Sequence, residues 1–367
     1  MNSNNERIES LQTVRFLAFM VVFLVHADII DDSLGGLGVS IFLVLSGFVM
    51  MYAYWNKQLQ YSIKYAITFS IKKIKKLYPL HILTMVGVLV LMIPNLLSDF
   101  SIKLLVKVAS QVIANVFLLK AFIPRESIYF SLNGVSWYLS VCLFLYMLFP
   151  FIQKYLKRCS IKKALRNVVV AYIIQVIFVV IIYSLKQLHG ISNETISGLT
   201  YISPFFRTID FFVGTNLCVI FKENRQKYKN SIYTFGEVIF VMSSIITIMV
   251  YLQLQSFKGK GMVEKIWGRS AVMFLPISFC LIYLFAINKG KFSKILTNKL
   301  TIYIGNISAY TFLIHTVVIR YVDALTSKFN ICNGEIEKAF VSFTLTVIAS
   351  LMYIKIHKIR ILRYRRQ

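Results

Sequence analysis

The chain has 367 residues, 57% of them hydrophobic and 15% charged, with a mean hydropathy of +0.68; a soluble domain holds roughly 45–50% apolar residues, so lipid is the solvent for much of this sequence. Apolar runs of about 18 residues or more recur, each able to cross a ~30 Å hydrocarbon core, and they are continuous rather than alternating, which excludes a β-barrel and leaves an all-α, polytopic membrane fold. The net charge of +26 would suit a nucleic-acid binder, but the basic residues collect between the apolar runs, where they report topology rather than a nucleic-acid partner.

Ten spans are predicted, at about 14–30, 37–55, 77–97, 135–152, 167–186, 200–221, 232–254, 268–287, 300–321 and 337–356. The first is followed at once by the second with no small-residue cleavage site, so it is read as a retained helix and not a signal peptide. It carries Arg15 and His26. Ionisable groups inside a bilayer are costly and tend to mark sites. Eleven residues at 100° each place the two within about 20° of one face, with about 16 Å of rise between them. A histidine exchanges a proton near neutral pH and can act as general base toward a hydroxyl. A snorkelling arginine and a histidine bonded to a neighbouring helix fit the same spacing.

The second span opens at Gly35-Gly36 and contains Phe42, Ser46, Gly47 and Phe48. Small residues such as Gly47 let helices approach closely, and the Ser46 hydroxyl can bond a site residue. Lys72-Lys73-Ile74-Lys75-Lys76-Leu77-Tyr78-Pro79 leads into the third span. Its lysines either anchor the helix at anionic headgroups or bind a polyphosphate; composition does not separate the two. In 102–119, Lys103, Lys107, Gln111 and Asn115 recur every four residues, the pattern of an amphipathic helix lying in the membrane plane.

The fourth span starts with Ser136, Trp137, Leu139 and Ser140, where Trp137 alone reads as an interface anchor. The sixth holds Arg207 and Asp210, three apart and able to pair; the seventh carries Glu237 near its end, and the ninth Ser308, Tyr310 and His315. Cys142, Cys159, Cys218, Cys280 and Cys332 show no CxxC pairing, so neither a disulfide framework nor a metal site is indicated. Segments 57–76, 153–166, 222–231, 288–299 and 355–367 carry about +6, +6, +3, +4 and +6. By the positive-inside rule both termini are then cytoplasmic. No internal repeat or independent polar domain is evident, which gives one membrane domain over 1–367, with a core of about 6–356 and a basic cytoplasmic tail at 357–367.

Taken in order, these features resemble the acyltransferase-3 family of bacterial membrane acyltransferases. Arg15 and His26 match its R-x10-H pattern, and Phe42 through Ser46-Gly47-Phe48 its second-helix stretch. Lys73-Ile74-Lys75-Lys76-Leu77-Tyr78-Pro79 is similar to its R-x-x-R segment. Trp137-Tyr138-Leu139-Ser140 through Tyr146 and Pro150 resembles its Trp-x-Leu-Ser helix, and Ser308-Ala309-Tyr310 with His315 its late Ser-Tyr…His pattern. Two departures stand out. Lysines replace both arginines of R-x-x-R, which keeps charge and loses the bidentate fork. Cys142 stands where many relatives have Glu.

The resemblance implies an O-acyltransferase of the cell (cytoplasmic) membrane. An acyl-CoA, acetyl-CoA foremost, is the donor substrate, with no bound cofactor. The acceptor is a hydroxyl of a surface polysaccharide or its lipid-linked precursor. Lys73 and Lys76 would hold the donor's phosphates with Arg15 helping, and His26 would be general base or transient acyl carrier. Ser46, Trp137, Ser140, Arg207, Asp210, Ser308, Tyr310 and His315 would support the site. Relatives that carry an SGNH hydrolase-like domain place it after the membrane part; the sequence ends at Gln367, so such a periplasmic or extracellular partner would be a separate protein. A precursor transporter without covalent chemistry is the main rival, although inverted repeats are not seen. A polysaccharide polymerase would usually have an arginine-rich outer loop, whereas 98–134 holds only Arg125.

Overall fold

The computed structural model describes residues 7–224, 230–256, 271–329 and 334–364. The longer helices among them are α1 (Ser10–His26), α2 (Gly35–Ala53), α3 (Ile63–Ile74), α4 (Tyr78–Ser98), α5 (Ile102–Val116), α6 (Trp137–Leu156), α7 (Ile161–His189), α8 (Pro204–Asn224), α9 (Asn230–Ser256), α10 (Phe274–Ile287), α11 (Lys299–Phe329) and α12 (Glu335–Tyr364). Each of the ten expected spans falls on one of these helices. Among the described residues, seven helical stretches are long and apolar enough to cross a membrane, or eight if α3 and α4, bent by 59° at their junction, form one span. The helices α1 and α10, both expected to cross, have 17 and 14 residues, which at 1.5 Å each is less than a ~30 Å core.

Where helices end is decided by local chemistry. α1 stops at His26 rather than near residue 30 because Asp28 takes φ 57°, a left-handed conformation that an α-helix of L-residues does not continue through. The Ile29 and Ile30 amides then turn back to Leu24 O. Asp31 accepts from Ser33 N at 2.9 Å, opening the short turn Asp32–Leu34 that feeds α2. The break between α3 and α4 falls at Lys75-Lys76-Leu77, just before Tyr78-Pro79. Proline fits the first turn of a helix but disfavours helical geometry in the residue before it.

The centre of the bundle is built on glycine contacts. A Cβ on Gly47 of α2 would run into Phe211 O of α8, and one on Gly214 of α8 into Val44 O of α2. Gly305 brings α11 against Gln12 O of α1 in the same way. Close backbone approach of this kind is what holds helices together where lipid removes the hydrophobic drive. In their apolar windows α2 is 78% buried and α9 11%. The outward faces of α7, α9 and α12 carry residues such as Val169, Ile173, Phe235, Met249 and Phe340, the surface a membrane protein presents to lipid. Gly305 starts α11 beside the start of α1, Phe343 of α12 packs on Phe23 at 5.3 Å, and Tyr353 lies 5.9 Å from Tyr310. The chain therefore leaves α12 at the same end of the bundle at which it enters α1.

Two expectations change. The stretch 57–76, read as a basic connection, contains α3, whose Ile63, Ile67 and Ile71 are exposed along one side while Ala66, Phe69 and Ile74 pack inward. α5 is amphipathic, but its polar stripe does not all face water. Lys103 and Lys107 are exposed, whereas Gln111 and Asn115 are buried, and Ile102, Leu105, Val106 and Ile113 face outward. Gln111 Nε2 donates to Ser127 O at 2.8 Å, and Asn115 Nδ2 to Ser131 Oγ at 2.9 Å: the amides satisfy the irregular chain beneath them. α12 runs to Tyr364, through most of the expected tail; 365–367, Cys332 and residues 225–229 of a basic segment lie outside the described residues.

Candidate active site

His26 is the last residue of α1, exposed to a cavity of about 800 Å³. Its Nδ1 lies 2.7 Å from Val22 O. A carbonyl only accepts, so Nδ1 carries the proton and Nε2 keeps its lone pair. His315 of α11 is fully buried, its ring centroid 5.1 Å from that of His26 and nearly perpendicular to it. It is held the same way, with Nδ1 2.8 Å from Phe312 O, and its Nε2 has no partner among the described residues. Phe19, Phe23 and Phe312 ring the buried imidazole at 5.8–6.2 Å, and the carbonyls of Val22 and Phe312 hold the two rings in the tautomer that leaves Nε2 unprotonated.

The cavity is walled by the connections that leave the helices. Trp137 and Tyr201 pack at 5.4 Å on one side, with Tyr129, Tyr251 and Phe274 around them. Among the described residues, Asp31, Asp32, Glu126 and Asp323 line it together with Arg320. Tyr201 sits on a widened helical turn over Gly198–Ile202, closed by Ser203 N to Gly198 O at 2.8 Å; such turns often shape functional surfaces. That turn is tied to the ion pair expected from the sequence. Arg207 and Asp210 are both fully buried and 3.3 Å apart. Arg207 Nε donates to Tyr201 O at 2.6 Å, and Ser40 Oγ to Asp210 Oδ1 at 2.9 Å. The pair thus braces the cavity wall from behind.

Arg15 occupies a different environment. It is half-buried, donates to Gln12 Oε1 at 3.2 Å, and lies in the field of the Tyr146 and Tyr138 hydroxyls. Ser46 and Tyr146 share a hydrogen bond of 3.1 Å, and the buried Cys142 thiol bonds to both tyrosines. Between this cluster and His26 lies an aromatic layer: Tyr138 is 5.3 Å from Phe312 and 6.1 Å from Phe42, and Phe42 is 5.5 Å from Phe312.

The remaining predicted residues divide between these regions. Trp137 lines the cavity, and Ser140, one turn deeper, is fully buried with no partner for Oγ among the described residues. Ser308 Oγ donates to Gly305 O, and Ser308 O accepts from Thr311 Oγ1, both within its own helix. Lys73, half-buried at the α3–α4 bend, stands 4.4 Å over the Tyr54 ring, and exposed Lys76 stands 5.5 Å from the Tyr310 ring; neither approaches the cavity. Sequence reasoning missed Tyr201, Arg320 and Asp323. Arg320 carried a legible signal, being a charge near the end of the 300–321 run, whereas Asp323 lies just beyond that run and reads from sequence as an outer-loop acid. It also missed Lys120, a lone cation in an apolar stretch.

A profile of the acyltransferase-3 family, described as an acyltransferase domain, matches residues 8–355. Acyltransferase MdmB of Streptomyces mycarofaciens is 26% identical over 175 residues, which are 43% of this chain and 42% of that protein. The chain therefore matches less than half of that relative's length. No solved structure matches at a significant level.

Proposed function

Because the chain belongs to the acyltransferase-3 family, we propose that it moves an acyl group, acetyl foremost, from acyl-CoA to a hydroxyl of a cell-surface or exported polysaccharide or its lipid-linked precursor. The observation that carries this reading is His26, whose Nδ1 is pinned to Val22 O and whose ring is open to a cavity large enough for sugar rings. Trp137 and Tyr201 offer faces for sugar C–H groups, and the carboxylates accept from hydroxyls. In the cell membrane, with both termini cytoplasmic, this cavity opens on the outer side.

The chemistry follows from the protonation pattern. His26 Nε2 takes the proton of the attacking hydroxyl as its oxygen bonds to the thioester carbonyl carbon. The carbon–sulfur bond breaks, and His26 returns the proton to the departing thiolate. Beneath His26, His315 is buried among phenylalanines, which keeps water from that side of the reacting atoms. About 16 Å of helix rise separates Arg15 from His26, so Arg15 acts on the donor's extended arm and not on the carbonyl. Lys73 and Lys76 lie at the Arg15 end and supply point charges for the donor's phosphates.

The test is transfer of labelled acetyl from acetyl-CoA to membrane glycan by membranes carrying wild type or His26→Ala. Incorporation by wild type and none by the variant is expected. Undiminished incorporation by His26→Ala removes the catalytic assignment, and a glycan that moves across the membrane without acquiring label points to a transporter.

A further inference from the structure

Lys120 is fully buried and lies outside the spanning helices, between α5 and α6. An ammonium taken out of water without a counter-ion is expensive, and every partner found for this one is a neutral oxygen. Nζ donates to Ser131 O at 2.8 Å and reaches Asn115 Oδ1, Asn133 O and Ser136 Oγ at 3.1 Å each. The titratable groups that face it, Arg320 and His81, offer no negative charge. Burial first, and Arg320 second, pull its pKa down to about 7.

What the cation holds is a strained turn. Ser131 O and Asn133 O flank Leu132, which takes φ 54°. That is a left-handed conformation that a branched, bulky residue adopts only when its surroundings impose it. The Leu132 carbonyl accepts from Arg320 Nη1 of α11 at 2.9 Å, so two cations grip the turn from opposite sides. The Asn133 side chain completes the attachment. Its Nδ2 donates to Thr84 Oγ1 of α4 at 2.9 Å and to Leu313 O of α11 at 2.8 Å, and its Oδ1 accepts from Thr316 Oγ1 at 2.9 Å. Gly134, Val135, Trp137 and Thr316 line the cavity that holds His26, and Leu313 and Thr316 bracket His315.

We propose that Lys120 is a positioning residue of the acyl-transfer site: with Asn133 it clamps the 131–136 segment onto α4 and α11 and so fixes part of the wall of the cavity that holds His26. Simple packing would be served as well by an apolar side chain of the same length. Four acceptors gathered from α5 and the wall itself, around a turn held in an unfavourable conformation, call for the N–H donors of Nζ, which an apolar side chain lacks. The proposal rests on the acyl-transfer reading for its kinetic consequence but not for its structural one.

Lys120→Met keeps most of the unbranched stem of the side chain and removes the amino group. Purified full-length protein in detergent is compared by amide hydrogen exchange, and membranes by kinetics with labelled acetyl-CoA. Expected for the variant are exchange at least ten-fold faster over 131–137, unchanged exchange in α7 and α9, and a turnover rate per folded protein lowered at least 30-fold. The acetyl-CoA KM should stay within two-fold of wild type. Unchanged exchange at 131–137, or a wild-type turnover rate, overturns the proposal. So does a loss of rate matched by a rise in acetyl-CoA KM, which would place the effect at the donor. If Lys120→Met does not accumulate, Ser136→Ala, which takes away one acceptor, must show the same pattern at three- to ten-fold; no change there is equally fatal. Wild type that transfers no label defeats the acyl-transfer reading, while the exchange measurement still decides the clamp.

Discussion

The two ends of α1 show how one helix can serve two environments. At its C-terminal end His26 opens into a roomy cavity where, among the described residues, the carboxylates Asp31, Asp32, Glu126 and Asp323 outnumber the cation Arg320, although the chain as a whole carries +26. Toward its start Arg15 is packed among Gln12, Tyr138 and Tyr146, with the lysines of the α3–α4 bend at the same end. A partner rich in phosphate suits the second region and is disfavoured by the first. A polyhydroxylated partner without dense negative charge suits the first. Under the proposed function this difference would separate donor from acceptor by charge; an aromatic layer of Phe42, Tyr138 and Phe312 lies between the two regions.

The strongest way to break that division is to exchange the roles of the two residues. His26→Gln is expected to lower the turnover rate by about 10²–10⁴-fold, the usual contribution of a general base, with the acetyl-CoA KM within two-fold of wild type. Arg15→Gln is expected to act chiefly on the acetyl-CoA KM. Steady-state kinetics on membranes that reversed this pattern would show that the ends have been misassigned.

A smaller effect is expected from the bend. Lys73→Ala combined with Lys76→Ala should raise the acetyl-CoA KM by about ten-fold, the loss of ~1.4 kcal/mol of phosphate attraction. If the KM is unchanged, the lysines serve only as membrane anchors.

The cavity rim offers a finer test. Glu126→Gln with Asp323→Asn removes two of its carboxylates. Transfer to an acceptor bearing uronic acids, relative to a neutral one, should rise about two- to five-fold and more at low salt, since exposed charges are screened. An unaltered preference would mean that the rim does not meet the acceptor.

The smallest effect concerns pH. The Lys120 pKa is drawn down to about 7 in the fold against ~10.4 in an unfolded chain. Between these values the unfolded chain binds more protons, so the stability contributed by this group is lowest below pH 7 and rises with pH across the window. Thermal unfolding in detergent at pH 6.5 and 9 should show the rise in wild type and a shallower one in Lys120→Met.

The amino-acid sequence by itself determined the helical membrane class, the approximate position of most of the apolar helices and the placement of Arg15 and His26 on one helix. It did so because hydropathy and the 100° helical repeat are local properties. The motifs spread from Arg15 to His315 were also sufficient to recognise the family. Tertiary structure alone decided the rest. Asp28 ended α1 at His26 and turned that residue from a mid-helix group into the lip of a cavity. α11 brought His315 beneath it, and Gln111 and Asn115 turned inward to satisfy Ser127 and Ser131 rather than facing water. Lys120, unremarked in an apolar stretch, acquired four acceptors from segments up to 16 residues away. An apolar run shows that a segment leaves water; it is the same whether lipid or another helix covers it, so which faces meet must come from the packed structure.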